Sequence, residues 1–447
     1  MKKIIIFLFA LLSLNRVINA QVNSQNPDMI IDYTPNYSMT YNKPIVRGSL
    51  PTEIVSYHEY DHRGVFSLLI SGNINVINIE LEHLTFVRDF EVLDNVVYFC
   101  GERRISSSDV RAIFGQFSLT TLRNHISPTI HIFELNYKNK SNAYLKKMEV
   151  YTDPNTGRDI LMAVGHSFNK DVNGYHYDEK DFLAISHNGF AFFRYCEFNE
   201  EIYHDVIETE NYIVLSGELA NQGQSLAFRR IKKANYNLQY IDSIYTINLP
   251  HLEPLTYLLG EGLNGTDTFI TSTYAEINNT FGTILRTYDA STMDEIQDQF
   301  IPSSSDEKTE PYELKYMNKD TTLLLQYSTS SPETKIYYID PIPTPINNNF
   351  YVVNYEYYPN RDFYSLDKYS QNNYIAIGIS ARNISYAVRY ISSNSVSCAI
   401  IGREDAIFNS KYGLKLSISS ILTDGDIGKL YYFKPNLYIE TLNTYCP

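Results

Sequence analysis

His58-Glu59-Tyr60-Asp61-His62 matches the zinc-peptidase pattern H-E-x-x-H residue for residue. That chemistry needs both imidazoles on one face of a helix to hold zinc, while the glutamate activates the bound water. The neighbouring residues do not spell a helix. Ile54 to Tyr60 reads as a strand and Asp61-His62-Arg63-Gly64 as its turn, so the period-two pleat breaks the helical i, i+4 relation between the two histidines. Glu80 and Glu82, the nearest downstream acids, close a strand as well. The expectation is therefore a polar hairpin end with no metal.

Asn169-Lys170-Asp171-Val172-Asn173-Gly174 has the oxygen donors at alternate positions, and the glycine, of the first half of a calcium loop. The twelfth position, which should supply a bidentate glutamate, is Lys180, flanked by Glu179 and Asp181. Calcium near Asp171 and Asn173 is the one cofactor this chain suggests, and a solvated loop is the competing reading. Asp424-Gly425-Asp426-Ile427-Gly428 reads as a hairpin turn. The chain carries no glycine-rich phosphate loop, nucleophile elbow or Cys-x-x-Cys.

The elements that must position these groups are announced by an internal repeat. Arg88 to Glu102 and His204 to Glu218 align without a gap: Asp89 with Asp205, then Asn95 with Asn211, Gly101 with Gly217 and Glu102 with Glu218. Each copy reads as a strand, a tight turn at the asparagine, and a second apolar strand ending at the glycine. Weaker copies turn at Asp61 to Gly64, Asp153 to Asp159, Asn264 to Asp267, Asn318 to Asp320 and Asn372-Asn373. Further strand pairs fall between them, such as Ala112 to Leu119 with Ile130 to Asn136, and Leu183 to Ser186 with Ala191 to Tyr195. The first unit shows no obvious fourth strand before the next begins at Leu84.

The 39 Tyr and 23 Phe lie largely in such alternating runs, and there is no Trp. Aromatic and β-branched residues at period two pack well on a pleated, half-buried sheet. Units of about four strands, roughly fifty to sixty residues apart, fit the period of propeller blades. The expected fold is an all-β propeller of about seven four-stranded blades, with six or eight as alternatives, its ring closed by pairing N- and C-terminal strands.

Met1 to Ala20 has a basic start at Lys2 and Lys3, an apolar run from Ile4 to Leu14 and a small residue at the cleavage point. It reads as a secretory signal peptide, which leaves residues 21–447 as a single propeller domain, secreted or periplasmic. No later run is long enough to span a bilayer. A net charge of −14 argues against nucleic acid or an anionic membrane as partner. Four Cys are too few for a disulfide scaffold. Cys100 sits in an apolar run and reads as a buried thiol, whereas Cys398 and Cys446 can clip the chain's end if their strands are neighbours.

The signal peptide, the Tyr- and Asn-rich composition and the hairpin repeat resemble the exported β-propeller proteins of unknown function found in Bacteroidetes-type bacteria. The resemblance implies a fold class and a bacterial, exported setting, and no activity. The sialidase-type Asp box and the WD-type repeat both require Trp, which is absent.

By analogy with propellers generally, the loops joining a blade's second strand to its third, and those joining one blade to the next, rim one face and usually hold the ligand. Those loops offer Arg103 and Arg104, the segment from His166 to Lys180 with Tyr175 and His176, Glu218, Glu276 and Arg382. Arginine, acids, histidine and tyrosine together suit hydrogen bonding and ring stacking to a glycan, a peptide or an envelope protein. The expected function is non-enzymatic binding through this polar face. The alternative is a polysaccharide hydrolase or lyase with Glu218, Glu276, His166 and His176 as acid and base groups.

Overall fold

The computed structural model describes residues 29–33, 45–50 and 53–60, most of 62–390, and the short strands 417–418, 430–431 and 437–440. Stretches including 1–28, 107–108, 249–257, 303–308, 341–350 and 391–416 lie outside the described residues, as do Asp61, Asn221, Asn264, Asn278, Arg382, Cys398 and Cys446. The signal-peptide reading, the proposed Cys398–Cys446 clip and the Asp424 turn fall on that undescribed part.

The chain is a β-propeller. Four-stranded antiparallel units follow one another in sequence, the first six laid out strand by strand in chain order, with the second and third joined by a parallel Val110–Asn142 bridge. The first comprises Ile45–Leu50, Glu53–Tyr60, Arg63–Ile70 and Ile77–Glu80; the second runs from Thr85–Leu93 to His131–Glu134, and the third from Asn142–Thr152 to Phe192–Glu197. The fourth spans Glu201–Glu208 to Tyr245–Asn248, the fifth Leu259–Leu263 to Glu295–Pro302, and the sixth Thr309–Asn318 to Tyr351–Pro359. The last pairs Asp362–Ser370, Asn373–Ser380 and Asn383–Tyr390, and then takes in Met29–Tyr33 and Leu437–Glu440. The inner strand Ile45–Leu50 of the first sheet lies beside both Thr85–Leu93 and Asp362–Ser370. Apolar side chains fill the seams between sheets: Phe66, Phe90, Phe99 and Phe117 lock the first to the second, and Phe228, Phe269 and Tyr288 the fourth to the fifth.

Two expectations need correction. The first unit does have a fourth strand, Ile77–Glu80, paired with Arg63–Ile70; its four-residue length hid it in the sequence. The turn of the zinc-like motif is also narrower than Asp61 to Gly64. Glu53–Tyr60 is a strand that carries His58, and Arg63–Ile70 already belongs to the next one, so only Asp61 and His62 separate them. His62 sits at φ 60° and is exposed, its ring 6.2 Å from that of His83. The segment is not helical, and the i, i+4 face on which the zinc chemistry depends is not formed.

The repeat has a structural meaning at every position. The inner strands bulge at Val87/Asp89, Leu145/Lys147, Tyr203/Asp205 and Phe363/Ser365. Asp89 caps its own bulge by accepting the Phe90 N–H at 3.0 Å, and its other oxygen accepts the Met148 N–H of the next sheet at 3.1 Å. Asp205 repeats both bonds, to Val206 at 2.9 Å and to Gly260 at 2.8 Å. Other acceptors serve the same purpose at four further junctions: Tyr57 Oη for Val87, Asp181 for Tyr203, Glu261 for Tyr316 and Thr334 for Phe363. Each bond satisfies an inner-strand N–H that has no ladder partner and ties one sheet to the next. The repeated glycines face these bulges. A Cβ on Gly101 would lie 2.1 Å from the Phe86 carbonyl oxygen, and one on Gly217 2.0 Å from that of Ile202. At the turn, Asp94 and Asn95 both take positive φ, 46° and 67°, as a two-residue hairpin of this hand requires.

The inner strands also carry charge. Arg47 reaches Asp89 at 2.8 Å, Glu91 at 3.1 Å, Ser365 Oγ at 3.3 Å and Glu313 at 3.8 Å, so residues of the first, second, sixth and last sheets meet around one guanidinium. Lys315 lies 3.0 Å from Asp367 and 4.0 Å from Glu261, and Lys147 3.8 Å from Asp89. Acids outnumber bases in this cluster. Burial pushes the Asp205 carboxyl up to about 6 and that of Glu261 up to about 7, against the pull of Lys147 and Lys315 respectively. Glu149 is raised well above its ordinary value by burial and then by Glu91, Glu208 and Glu261.

Candidate functional site

An open cleft of about 350 Å³ lies between the second and third sheets, lined by Arg88, Glu102, Arg104, Ser106, Val110, Tyr144, Phe168 and Lys170. Its floor is Glu102, whose side chain is only 3% exposed and which grips one guanidinium with each oxygen. Arg88 Nη2 donates to Oε2 at 2.9 Å, and Arg104 donates to Oε1 from Nε at 2.7 Å and Nη2 at 2.6 Å. The remaining nitrogens, Nε and Nη1 of Arg88 and Nη1 of Arg104, have no partner among the described residues. A buried carboxylate thus fixes two cations side by side, and they keep a net positive charge.

The fold explains the arrangement. Arg88 precedes the repeated Asp89 on the inner strand, and Glu102 follows the repeated Gly101 on the second strand, so bulge and glycine together bring the two face to face. The other repeat copy does the same with His204 and Glu218, 3.2 Å apart.

The opposite wall belongs to the third sheet. Arg88 lies over the Tyr144 ring, 5.2 Å from its centroid, and Tyr144 is 5.5 Å from His166. Phe168 is stacked between His166 at 5.8 Å and His176 at 4.0 Å, with the Lys170 ammonium 5.6 Å from its centroid. His166 Nδ1 lies 2.7 Å from Asp181, which also takes the Lys146 ammonium at 2.6 Å and the Tyr203 N–H at 2.7 Å. Burial acts to raise the Asp181 carboxyl, but the His166 and Lys146 contacts outweigh it and hold the group below its ordinary value. Glu179 stands 3.7 Å from His166 and 3.6 Å from His176. Burial raises the Tyr144 hydroxyl, with Arg88 opposing.

The expected site residues separate accordingly. Arg104 lines the cleft, and His166 and His176 form its aromatic flank. Tyr175, 73% exposed, crowns the third sheet's loop, and Ile105, 46% exposed, stands near the end of the second sheet's strand Val96–Ser106. Arg103 does not join them: the pleat turns it to the other face, where it binds Glu82 at 2.5 Å and Glu134 at 3.2 Å. Glu218 and Glu276 stand on the fourth and fifth sheets, Glu218 against His204, and neither lines this cleft. Arg382 lies outside the described residues. At the calcium-like loop, Asp171 Oδ1 accepts the N–H groups of Asn173 and Tyr175, each at 2.8 Å, and so closes the hairpin. Among the described residues, no group of three His, Cys, Asp or Glu side chains is placed to hold a metal ion. Sequence reading covered Phe168 and Lys170 only within the segment His166 to Lys180 and did not name Arg88, Glu102 or Tyr144 as site residues, although Arg88 and Glu102 stood at repeat positions where His204 and Glu218 were polar too.

Neither a family model nor a curated protein matches the chain. Among solved structures it is similar to the WD40 domain of Toxoplasma gondii coronin, with TM-score 0.46 and 9% identity over 84% of this chain and 90% of that one. It is also similar to the β-propeller domain of the Trilobed protease from Pyrococcus furiosus, with TM-score 0.45 and 10% identity over 82% and 99%. A third is the acylaminoacyl peptidase of Pyrococcus horikoshii, with TM-score 0.44 and 12% identity, of which the chain spans 52%.

Proposed function

We propose that this propeller is a non-enzymatic binding module that takes a glycan, a peptide or a partner protein in the cleft between its second and third sheets. The observation that carries the reading is the pair of guanidiniums held open on one buried carboxylate. Placing two cations in fixed geometry before any ligand arrives lowers the ordering cost of binding. The exposed Ile105, near the end of the strand Val96–Ser106, and Tyr175, in the third sheet's hairpin loop, add apolar surface of the kind that partners cover. A screen of glycans, peptides and envelope proteins against the wild type and Arg88→Met tests it: at least one ligand should be retained by the first and released by the second. A screen in which no ligand distinguishes the two proteins refutes the assignment. Export is part of the proposal, on the pattern of Met1 to Ala20, and a mature protein that keeps those residues would remove it.

The second reading, a hydrolase or lyase acting on polysaccharide, draws on one feature. His166 carries Asp181 on Nδ1, the way an imidazole base is oriented, and lies beside Tyr144. Chain cleavage of a polysaccharide that disappears in His166→Ala would establish it.

A further inference from the structure

Within that reading of the cleft, and resting on it, we infer that the ligand is an acidic saccharide: a sugar unit bearing a carboxylate or sulfate, its anionic group on Arg88 and Arg104. Two guanidiniums, Arg88 and Arg104, line the cleft beside the one carboxylate among its lining residues, Glu102, while Glu59 acts on Arg88 from outside the lining. This excess stands out on a chain of net charge −14, whose overall field repels anions. Two guanidiniums with unused N–H groups match the planar oxygen pair of a carboxylate or the oxygen face of a sulfate.

The remainder of the cleft decides what carries the anion. A bare inorganic ion has no use for Val110, Tyr144 and Phe168, which together offer an apolar wall above the cations. The volume, about 350 Å³, lies at the small end of the range for organic ligands, about 300–1,000 Å³, and suits a ring-sized unit. An extended peptide that adds as a strand is held mainly by backbone hydrogen bonds at a sheet edge. Among the strands bounding this cleft, Val96–Ser106 is paired on both sides, as is Asp159–Lys170, and the Val110 N–H is taken by Asn142 Oδ1 at 3.1 Å; on the singly paired inner strands the Val87 N–H is taken by Tyr57 Oη and the Met148 N–H by Asp89. What projects into the cleft is side chain, with the Ser106 hydroxyl and the tyrosine among the cations. Cations, hydroxyls and aromatic edges together recognise a polyhydroxylated ring with one negative group.

The test is calorimetric titration of the full chain with four probes: a hexuronic acid oligosaccharide, the same oligosaccharide with its carboxylates reduced to alcohols, a sulfated oligosaccharide of equal length, and oligoglutamate. Saturable binding of the uronic or the sulfated probe is expected, and which binds more tightly identifies the anion. Reducing the carboxylates, or Arg104→Met, should weaken uronate binding at least about tenfold, the loss of one or two charge-assisted hydrogen bonds. Arg104→Lys should recover part of it. Arg103→Met, outside the cleft, should leave it unchanged. Equal affinity for reduced and acidic sugar, tighter binding of oligoglutamate, or indifference to Arg104→Met overturns the inference. If a neutral sugar or the peptide binds and still depends on Arg104, the cleft remains a ligand site and only the acidic-sugar assignment fails. If none of the four probes binds while the screen against Arg88→Met has found another ligand, the same holds; if that screen is empty as well, both fail.

Discussion

Replacing Glu261 by glutamine should stabilise the protein, and by an amount that depends on pH. Glu261 is on an inner strand, its side chain 20% exposed, 4.0 Å from Lys315. Burial is the main reason its carboxyl is pushed up to about 7 from an ordinary 4.5; Asp367 and Glu91 add to the rise and Lys315 opposes it. At about 1.4 kcal/mol per pH unit, keeping the group ionised in the fold costs about 3 kcal/mol. Because the folded value is the raised one, the protein binds an extra proton on folding between those two values. This group therefore favours the fold most below about pH 4.5, loses that advantage as pH rises, and has lost all of it above about pH 7.

Glutamine removes the charge and keeps an oxygen for the Tyr316 N–H, which Glu261 accepts at 3.1 Å. Lys315 retains Asp367 at 3.0 Å. Urea unfolding should show the variant more stable by about 2–3 kcal/mol at pH 8 and within about 0.5 kcal/mol of wild type at pH 4. A variant that is less stable at pH 8, or one whose gain is equal at both pH values, would refute the claim that a buried, proton-hungry carboxyl sits there.

Removing the opposite charge should do the reverse. Arg47→Met takes the guanidinium from Asp89, Glu91 and Glu313, leaving Asp89 only Lys147 at 3.8 Å, and should cost about 3–5 kcal/mol at pH 8, less at pH 5, read from the same unfolding midpoints. Gly217→Ala drives a methyl into the Ile202 carbonyl and should destabilise by at least about 2 kcal/mol, whereas Gly157→Ala, with nothing within 4 Å but φ at +65°, should cost about 1 kcal/mol. Equal losses at the two glycines would mean that the inner-strand bulge is not what the repeated glycine serves. Tyr57→Phe leaves the buried Val87 N–H without its acceptor and should cost about 1–3 kcal/mol; an unchanged midpoint would show that this bond does not tie the first sheet to the second.

The strands were legible in the sequence because each is specified locally. Period-two apolar runs, the Asp94-Asn95 turn and the return of Asp, Asn, Gly and Glu at fixed offsets all act over a dozen residues or so, and together they imply four-stranded antiparallel units. The short strand Ile77–Glu80 escaped notice because four residues carry too little alternation, and the edge it pairs with supplies the rest. The loops between second and third strands adjoin the cleft, with Arg104 in its lining and His166 and His176 beside Phe168. Which face each loop residue takes was not legible: Arg103 and Arg104 are chemically alike, and one step of the pleat sends the first to Glu82 and the second to Glu102. The charged cluster on the inner strands was invisible for a related reason. Arg47 and Ser365 lie 318 residues apart and meet only when the first and last sheets stand side by side. Local sequence therefore determined where the strands, turns and glycines fall. The packing of one sheet against the next decided which charges meet, which of them are buried, and where a cationic cleft opens on an acidic protein.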